Sequence, residues 1–346
     1  MKAMLFERFK APMPVREIPD PACLSNGAIV RVEAEGVCRS DWHVWMGDFA
    51  WLGMSPELPS VLGHEFSGVV EEVGIEVKSF KPGDRVVTPP SRADGTCEDC
   101  RSGHSNYCMN AGGFGGGYAR YAAVPCADLN LIALSNKIPF EEAASMGCRY
   151  ATAFCGVLDQ AQVQAGESIA IYGCGGIGLS AIQIAAAAGA HVIAVDIDDK
   201  KLDFAKSVGA DHVINGRNTD PVAAVRDLTG GGAHVAVDAL GIATTCRNAL
   251  MSLRRRGRHI QIGMTTQQEK GEISLPIDHI IVMGLHIIGS GVIPAWRYPA
   301  MLRMVETGKL SPRKLITQTI ALEKAFGVIE QMSTFANLGI SVVNSY

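Results

Sequence analysis

The segment SIAIYGCGGIG narrows the folds open to this chain more than any other stretch of the sequence. Three glycines, Gly173, Gly175 and Gly178, follow an apolar run typical of a buried strand and stand at the start of a helical run. In that setting the first glycine allows a tight turn, the second lets the backbone approach a pyrophosphate, and the third lets helix and strand pack closely. The first N–H groups of the helix, with Gly176 and Ile177, suit phosphate binding. The segment therefore predicts a dinucleotide-binding site.

Apolar strand-like runs and helical runs alternate from about Glu167 to Gly291. The strand-like runs read SIAIYG, HVIAVDI, HVIN, HVAVDAL, GRHIQIG and LHIIGSG. Strands that alternate with helices of about 10–15 residues form parallel βαβ units and a doubly wound sheet. Six such strands match the complete dinucleotide-binding fold, so we expect an α/β domain of this type.

The carboxylate of Asp196 ends the second of these strands, where it should bind the hydroxyls of the adenosine ribose. The 2′-phosphate of NADP would meet like charge there, because Asp198 and Asp199 follow and no arginine stands in their place. The segment therefore favours NAD over NADP, and no other feature of the chain indicates FAD.

Residues 1–150 have a different texture, with most of the prolines and with short β-like runs such as AIVRVEAEGV and SGVVEEVG. Turn signals such as Pro82-Gly83-Asp84 separate these runs and predict an irregular antiparallel β domain. The run FEEAASMGCRYATAFCGVL near its end is expected to be helical. We expect residues 151–290 to form the doubly wound domain and residues 291–346 to complete the first.

Charge and cysteine content exclude several classes of protein. A net charge of -4 and a pI near 6.1 offer no electrostatic footprint for nucleic acid or an anionic membrane. No run of about 18 uninterrupted apolar residues indicates a membrane span, and the first residues, MKAMLFERFK, lack the apolar stretch of a signal peptide. Ten cysteines in such a chain indicate a reducing compartment, and we expect the cytoplasm.

Candidate metal ligands occur in three separate segments. GVCRSDWH contains Cys38, LGHEFSGVV contains His64 and Glu65, and SMGCRYAT contains Cys148. Each residue alone is more often structural, but catalytic zinc takes three protein ligands, commonly Cys and His, and keeps one open position. Their occurrence beside a dinucleotide fold predicts a catalytic zinc site.

These motifs carry a family resemblance. The series CRSDWH, GHEFSGVVEEVG, GCGGIGLS and AVDI resembles the zinc-dependent medium-chain alcohol dehydrogenases along essentially the whole chain. The resemblance implies a GroES-like catalytic domain and a Rossmann coenzyme domain. It also implies reversible hydride transfer between an alcohol and NAD, with an aldehyde or ketone as the product. A homo-oligomer is implied as well, a tetramer in preference to a dimer.

The same resemblance assigns roles around the metal. Cys38, His64 and Cys148 resemble the three ligands of the catalytic zinc, and Glu65 resembles the carboxylate beside it, which supports the site or transiently replaces zinc-bound water. Asp41 resembles the acid that orients the zinc-binding histidine, a role with a clear physical basis.

Proton transfer and cofactor contacts are assigned in the same way. Ser40 and His43 resemble the relay that takes the proton from the substrate oxygen outward. Arg39, Lys201 and Thr152 resemble contacts to the cofactor pyrophosphate, adenosine ribose and nicotinamide respectively.

The substrate pocket is less defined by the sequence. The family places pocket residues shortly after the first zinc ligand, where Phe49 and Trp51 stand, although ordinary core packing explains these two aromatic residues equally well.

A second cysteine cluster stands at Cys97, Cys100 and Cys108. The family's structural zinc lobe usually has a fourth cysteine, and the same spacing leads here to Asp94, which is an acceptable zinc ligand. We expect Asp94 to complete the site. Two alternatives stay open: His104 as the fourth ligand, or an incomplete site in which Asp94-Gly95 is only a turn.

Two other functions fit the fold. A zinc-free quinone or enoyl reductase would not need Cys38, His64 and Cys148 together, and a non-catalytic NAD-binding protein would need neither zinc ligands nor relay residues. The sequence therefore favours the zinc alcohol dehydrogenase.

Overall fold

The structure is a computed structural model that describes residues 1–112 and 115–346. The chain forms two compact units, described here separately. The first comprises Met1–Ala151, Val292–Gly308 and Ile316–Tyr346, and the second comprises Thr152–Gly291 and Lys309–Leu315.

The strands and helices follow in chain order. The strands are β1 (Lys2–Phe6), β2 (Val15–Glu17), β3 (Ala28–Gly36), β4 (Ser60–Val61), β5 (Phe66–Val73), β6 (Arg85–Val87), β7 (Tyr121–Val124), β8 (Ile132–Ala133), β9 (Ser168–Tyr172), β10 (His191–Asp196), β11 (His212–Asn215), β12 (Ala233–Asp238), β13 (Leu253–Gln261), β14 (His286–Gly289), β15 (Ile316–Ala321) and β16 (Ile340–Ser345). The helices are α1 (Arg39–Met46), α2 (Glu98–Arg101), α3 (Ala127–Asn130), α4 (Phe140–Ala144), α5 (Ala151–Phe154), α6 (Gly176–Ala187), α7 (Asp199–Ser207), α8 (Pro221–Leu228), α9 (Ala243–Met251), α10 (Ile277–Met283), α11 (Tyr298–Glu306) and α12 (Ala325–Gln331).

The first unit is built on a largely antiparallel sheet with the strand order β15-β16-β3-β5-β6-β8, and β7 pairs with β3. Strand β3 holds the centre, because it pairs antiparallel with β16, β5 and β7 along its length. Apolar side chains from these strands, among them Val30, Val32, Phe66 and Val86, form its core. The irregular antiparallel β domain predicted from the sequence is confirmed, and β3 and β5 coincide with the two runs that predicted it.

The second unit contains the predicted doubly wound sheet. Its six strands pair in parallel in the order β11-β10-β9-β12-β13-β14. Numbered within the unit this order is 3-2-1-4-5-6, so successive strands are added on one side of β9 as far as β11 and on its other side from β12 onward. Dinucleotides bind at that switch point in folds of this type. The glycine-rich segment lies there, between β9 and α6.

The C-terminal part of the chain is divided between the units. Residues 291–346 were expected to belong to the first domain, but Lys309–Leu315 lies in the second unit. The side-chain amide of Gln183 in α6 bonds both the N–H and the carbonyl of Ser311, at 3.0 and 2.9 Å. A side-chain amide that satisfies two backbone groups gives a local reason for this attachment, which leaves no signal in the local sequence pattern.

Close packing between β9 and α6 depends on Gly178. A Cβ atom at this position would lie 1.7 Å from the carbonyl oxygen of Gly173, which is a backbone atom and cannot rotate away. The third glycine of the motif is therefore required by packing, whether or not a cofactor is present.

Replacement of Gly178 by alanine tests this packing. Alanine gains about 1 kcal/mol of helix propensity over glycine. Because the added Cβ would meet a backbone oxygen, we expect the overpacking cost at the upper end of its range, about 3 kcal/mol, and hence a free energy of unfolding lower by ~2 kcal/mol in Gly178→Ala. Urea unfolding followed by circular dichroism measures the change. Gly289→Ala, in β14 of the same unit, is the control, because its added Cβ meets no atom within 4 Å. Equal stability of both variants and the parent would show that α6 is not packed this closely.

Candidate functional site

Four buried side chains in the first unit bring potential ligand atoms together. Cys38, His64, Glu65 and Cys148 each offer one ligand atom, and these atoms all lie within 4.8 Å of one another. Cys38 follows β3, His64 and Glu65 lie between β4 and β5, and Cys148 lies in a π-helical segment, Met146–Tyr150. Residues from three segments of the chain thus converge as the sequence analysis predicted.

The start of α1 fixes the first of these residues. Cys38 is the N-cap of the helix, where its side chain accepts a hydrogen bond from the N–H of Ser40 while the Asp41 carboxylate accepts one from the N–H of Cys38. This reciprocal arrangement satisfies N–H groups at the helix start. It holds the sulfur of Cys38 at the beginning of the helix.

Asp41 also orients His64. Its Oδ1 lies 3.1 Å from Nδ1 of the imidazole, and its Oδ2 accepts a hydrogen bond of 2.8 Å from the hydroxyl of Tyr118. A carboxylate on one ring nitrogen leaves the other, Nε2, as the nitrogen suited to a metal.

Glu35 holds the backbone of the same segment. One oxygen of its fully buried carboxyl group accepts hydrogen bonds from the N–H groups of His64 and Glu65, at 2.9 and 3.1 Å. Burial, with the nearby charge of Asp41, raises the pKa of Glu35 well above its ordinary value. An uncharged Glu35 can hold the segment without adding a further negative charge.

Glu65 is engaged by a buried arginine. Its Oε1 accepts hydrogen bonds from the N–H groups of Cys148 and Arg149 and from Nε of Arg149, at 3.1, 2.9 and 3.1 Å. A terminal nitrogen of Arg149 bonds Oε2, and the other terminal nitrogen donates to the carbonyl of Val37 at 2.8 Å. Both side chains are almost entirely buried, so each charge depends on the other.

The protonation of the cluster follows from this burial. Burial, with neighbouring Cys148, raises the pKa of the Cys38 thiol well above its ordinary value. Burial alone would lower the pKa of His64, but the charge and hydrogen bond of Asp41 raise it well above its ordinary value. A divalent cation reverses both tendencies, because it binds thiolate and neutral imidazole. Two sulfurs and one imidazole are a donor set that fits zinc.

Ser40 and His43 lie three residues apart on α1, a spacing that places both side chains on one face of the helix. The imidazole of His43 is buried, and its Nδ1 lies 2.7 Å from Oδ2 of Asp48. Burial lowers the pKa of His43, the charge of Arg39 lowers it further, and the hydrogen bond to Asp48 opposes both. A lowered pKa keeps this imidazole neutral near pH 7.

Phe49, Trp51 and Arg39, three further site residues predicted from the sequence, lie close to His43 in the sequence. Phe49 is buried beside the His43 ring, with ring centroids 6.4 Å apart, and Trp51 is half-buried in a 3₁₀ turn, Ala50–Leu52. The guanidinium of Arg39 lies over the rings of Trp42 and Phe335, at 4.2 and 4.1 Å.

Arg39 also donates a hydrogen bond of 2.7 Å to the carbonyl of Met332. Burial lowers its pKa to about 10. A guanidinium stays charged at that value near neutral pH.

The second cluster consists of Asp94, Cys97, Cys100 and Cys108, whose ligand atoms also lie within 4.8 Å of one another. The turn of α2 places Cys97 and Cys100 side by side, with their sulfurs 3.5 Å apart, and the sulfur of Cys108 lies 3.4 Å from Oδ1 of Asp94. His104 is exposed and bonds Ser102, and it is not among the clustered groups.

Local hydrogen bonds preset the Asp94 carboxylate. It accepts from the N–H and hydroxyl of Thr96, at 2.9 and 2.7 Å, and from the amide of Asn110 at 2.9 Å. These bonds hold the pKa of Asp94 well below its ordinary value, those from Thr96 most strongly. Burial, with Cys108 and Cys97 nearby, raises the pKa of Cys100 to about 12. Such a thiol ionises at neutral pH only when a cation binds it.

The glycine loop of the second unit is tied to Asp196. Gly175 is the N-cap of α6, and Gly176, Ile177 and Gly178 supply the first N–H groups of that helix. Oδ2 of Asp196 accepts a hydrogen bond of 2.7 Å from the N–H of Cys174, inside the loop.

Asp196 makes further contacts beyond the glycine loop, and Lys201 and Thr152 lie in two helices. Oδ1 of Asp196 accepts from the N–H groups of Ile197 and Asp198, at 2.7 and 3.1 Å. Lys201 lies buried in α7, and Thr152 lies buried in α5.

Four residues that hold the candidate site were not identified from the sequence: Glu35, Arg149 and Tyr118 around the first cluster, and Asp48 beside His43. The hydrogen bonds of Glu35, Arg149 and Tyr118 in the site join residues that are far apart in the sequence. Of these three, Arg149 could have been noticed, because it directly follows Cys148. Asp48 stands five residues after His43, near enough in the sequence to be considered, although no motif marks it.

No helix in the described ranges, 1–112 and 115–346, is long and apolar enough to cross a membrane.

Comparisons with known protein families match both parts of the chain. Residues 25–134 match the alcohol dehydrogenase GroES-like domain, and residues 176–307 match the zinc-binding dehydrogenase domain. The first match contains Cys38, His64 and the second cluster, and the second contains the glycine loop from Gly176 together with Asp196.

Similar proteins extend over nearly the whole chain. An alcohol dehydrogenase of Geobacillus stearothermophilus is 36% identical over 96% of each chain, and an NAD-dependent alcohol dehydrogenase of Sulfurisphaera tokodaii is 32% identical over 99% of each. Among solved structures, an alcohol dehydrogenase from Thermus sp. ATN1 superposes with a TM-score of 0.89, covers 100% of both chains and is 32% identical. The resemblance read from the motifs is thereby confirmed, and the chain belongs to the zinc-dependent medium-chain alcohol dehydrogenase family of oxidoreductases.

Proposed function

We propose that this protein transfers hydride reversibly between an alcohol and NAD, with an aldehyde or ketone as the product, and that Cys38, His64 and Cys148 hold the zinc ion of the reaction. The observation that carries the proposal is the buried cluster of two thiols and one imidazole, with ligand atoms within 4.8 Å and with Asp41 on Nδ1 of His64. Three protein ligands of this kind leave one position for a substrate oxygen.

The side chains of the site supply orientation and proton transfer. When bound, zinc supplies a Lewis acid for the substrate oxygen, and NAD supplies the hydride acceptor. The hydroxyl of Ser40, two residues from Cys38, accepts the proton of the alcohol as it donates its own proton onward to Nε2 of His43. Glu65 is held by Arg149 and by backbone N–H groups, which favours a supporting role over direct contact with the metal.

The second unit binds NAD in this proposal. The first N–H groups of α6 and the close approach allowed at Gly175 suit the pyrophosphate, since an added Cβ at Gly175 would meet no atom. Asp196 serves the adenosine ribose, and with Asp198 and Asp199 it disfavours the 2′-phosphate of NADP. Lys201 and Thr152 are proposed to contact the ribose and the nicotinamide.

Residues of the first unit are proposed to contact the cofactor and the substrate. Arg39 is proposed to contact the cofactor pyrophosphate, for which its guanidinium must leave the carbonyl of Met332. Phe49 and Trp51 are proposed to line an apolar substrate pocket. Phe49 lies beside His43, which supports its place there.

The second cluster is proposed to hold a structural zinc ion. Three thiols and one carboxylate form a four-coordinate donor set with no position left for substrate. The surrounding lobe is attached within the first unit, where the indole of Trp296 donates to the carbonyl of Gly103 and the amide of Asn106 donates to that of Val292, both at 2.8 Å. Cysteine ligands require a reducing compartment, and we propose the cytoplasm.

A second copy of the chain is proposed to cover the edge of the parallel sheet. Strand β14 ends the sheet, and the adjacent helix α10 exposes Ile281 and Val282 by 71% and 69%. Ile287 on β14 is also exposed. An edge strand beside exposed apolar side chains is suited to a self-complementary contact about a two-fold axis. Two such pairs would form the tetramer favoured by the sequence analysis.

Initial rates of NADH formation with a panel of alcohols test the function directly. We expect alcohol-dependent NADH formation, slower turnover with NADP, and a loss of at least ~100-fold in Cys38→Ser, because Lewis-acid stabilisation is worth several kcal/mol. Cys246→Ser, which changes a buried thiol of α9, is the matched control and should keep its activity. Full activity in metal-free protein or in Cys38→Ser would favour a zinc-free reductase instead.

Metal analysis distinguishes the two clusters. We expect one zinc ion in each cluster, and Asp94→Asn should lose the ion of the second cluster to a chelator faster than the parent, because a neutral amide replaces a carboxylate ligand. His104→Asn is the matched control and should retain both ions. Unchanged retention in Asp94→Asn, with loss in His104→Asn, would assign the fourth ligand to His104.

Light scattering after size-exclusion chromatography tests the proposed assembly. We expect a tetramer for the parent protein and a smaller species for Val282→Asp, because a buried carboxylate would oppose the contact. Ile75→Asp, at a side chain 95% exposed in the first unit, should leave the mass unchanged. A monomeric parent protein would contradict the proposed contact.

A further inference from the structure

We propose that Asp48 is a positioning residue for proton transfer, which holds the ring of His43 so that Nε2 is the nitrogen that accepts the proton. The inference deepens the proposed function and rests on the role assigned there to His43. The observation behind it is the contact of 2.7 Å between Oδ2 of Asp48 and Nδ1 of His43. Neither the family motifs nor the residues assigned from them include Asp48.

The chemistry of the two groups fixes the tautomer. An ionised carboxylate can only accept hydrogen bonds, so the hydrogen between the two residues belongs to Nδ1 of His43. A neutral imidazole carries one hydrogen, and Nε2 then keeps a lone pair. The side chain of Asp48 is completely buried and that of His43 nearly so, which makes this contact costly to exchange for water.

The end of helix α1 brings the two residues together. Gly47 adopts the left-handed conformation, with φ of 80°, and its N–H bonds the carbonyl of Val44. The chain then turns back, and the N–H of Asp48 bonds the carbonyl of His43 at 2.9 Å. Backbone and side chain of Asp48 therefore both contact His43, which restricts where the carboxylate can lie.

Neighbouring groups hold the ring and set its charge. The rings of Trp42 and Phe49 meet that of His43 edge-on, with centroids 5.0 and 6.4 Å away. Arg39 and Asp48 are the charged groups that act on the imidazole. Burial and Arg39 lower the pKa of His43, so the ring is neutral and able to accept a proton near pH 7. In a neutral ring the identity of the protonated nitrogen decides whether Nε2 can act as the base.

A purely structural role for Asp48 gives different expectations. A residue that only closes the end of α1 would affect stability, and its effect on turnover would not depend on His43. A positioning residue acts through His43, so its effect on turnover should vanish when the imidazole is absent.

Nitrogen NMR of the zinc-loaded protein reads the tautomer without any substrate. The protein is labelled with ¹⁵N-histidine, and the His43 signals are identified by their absence from His43→Gln. We expect an Nδ1–H tautomer in the parent protein and in Asp48→Glu. An Nε2–H tautomer in the parent would overturn the inference, and this measurement decides even where Asp48→Asn does not fold.

A double-mutant cycle tests the link to turnover. We expect Asp48→Asn to lower kcat for alcohol oxidation about 10-fold in the parent background, and less than about 2-fold in His43→Gln. Because Asp48 opposes the lowering of the His43 pKa, its loss should also move the acid limb of the pH–rate profile to lower pH. Asp211→Asn removes another carboxylate–histidine contact, with His191, and is the matched control that should leave kcat unchanged.

The outcomes separate this inference from the proposed function. Equal losses in both backgrounds would overturn the positioning role, since the effect would not pass through His43. Alcohol oxidation that is unaffected in His43→Gln would also overturn it, while the alcohol dehydrogenase activity itself would stand. Absence of alcohol-dependent NADH formation in the parent protein would instead refute the proposed function.

Discussion

The geometry of the first cluster depends on the buried ion pair between Glu65 and Arg149. The guanidinium of Arg149 donates a hydrogen bond to the carbonyl of Val37, the residue before Cys38. Glu65 directly follows His64, and its carboxylate accepts a hydrogen bond from the N–H of Cys148. One pair of side chains thus contacts all three segments that supply metal ligands. Loss of one partner of a buried pair typically costs about 3–5 kcal/mol, because the remaining charge is left without compensation. The same pair explains why Glu65 can lie among the ligand atoms and still be occupied by other donors.

The two clusters of potential metal ligands are held together in different ways. The first is buried, and Asp41, Glu35 and Arg149 arrange it through hydrogen bonds that join segments far apart in the sequence. The second lies in a local lobe, where one turn of α2 pairs two cysteines and neighbouring residues 96 and 110 hold Asp94. A bound cation interacts more strongly with the ligand charges of the first cluster, because no solvent screens the charges there. This contrast fits the two proposed roles. A catalytic ion in the first cluster requires oriented ligands, whereas a structural ion in the second has only to hold the lobe together.

Local sequence patterns were sufficient for much of this structure. The glycine motif and the alternation of strands and helices predicted the parallel sheet, and the segments around Cys38, His64 and Cys148 predicted which side chains meet. Contacts between residues far apart in the sequence could not be predicted from local patterns. Glu35 is a buried carboxyl group in a strand, where sequence patterns predict an apolar residue, and the side chain of Gln183 bonds Ser311 of the Lys309–Leu315 segment. Asp48 was within reach of the sequence, but no motif marks it, and only the turn at Gly47 shows that it meets His43.

Anomalous diffraction at the zinc absorption edge, from crystals of the zinc-loaded protein, tests the central claim most directly. The account predicts a peak at bonding distance, about 2.0–2.3 Å, from the sulfurs of Cys38 and Cys148 and from Nε2 of His64, with Glu65 still paired to Arg149. Absence of a peak there from protein that oxidises alcohols at its full rate would contradict the account.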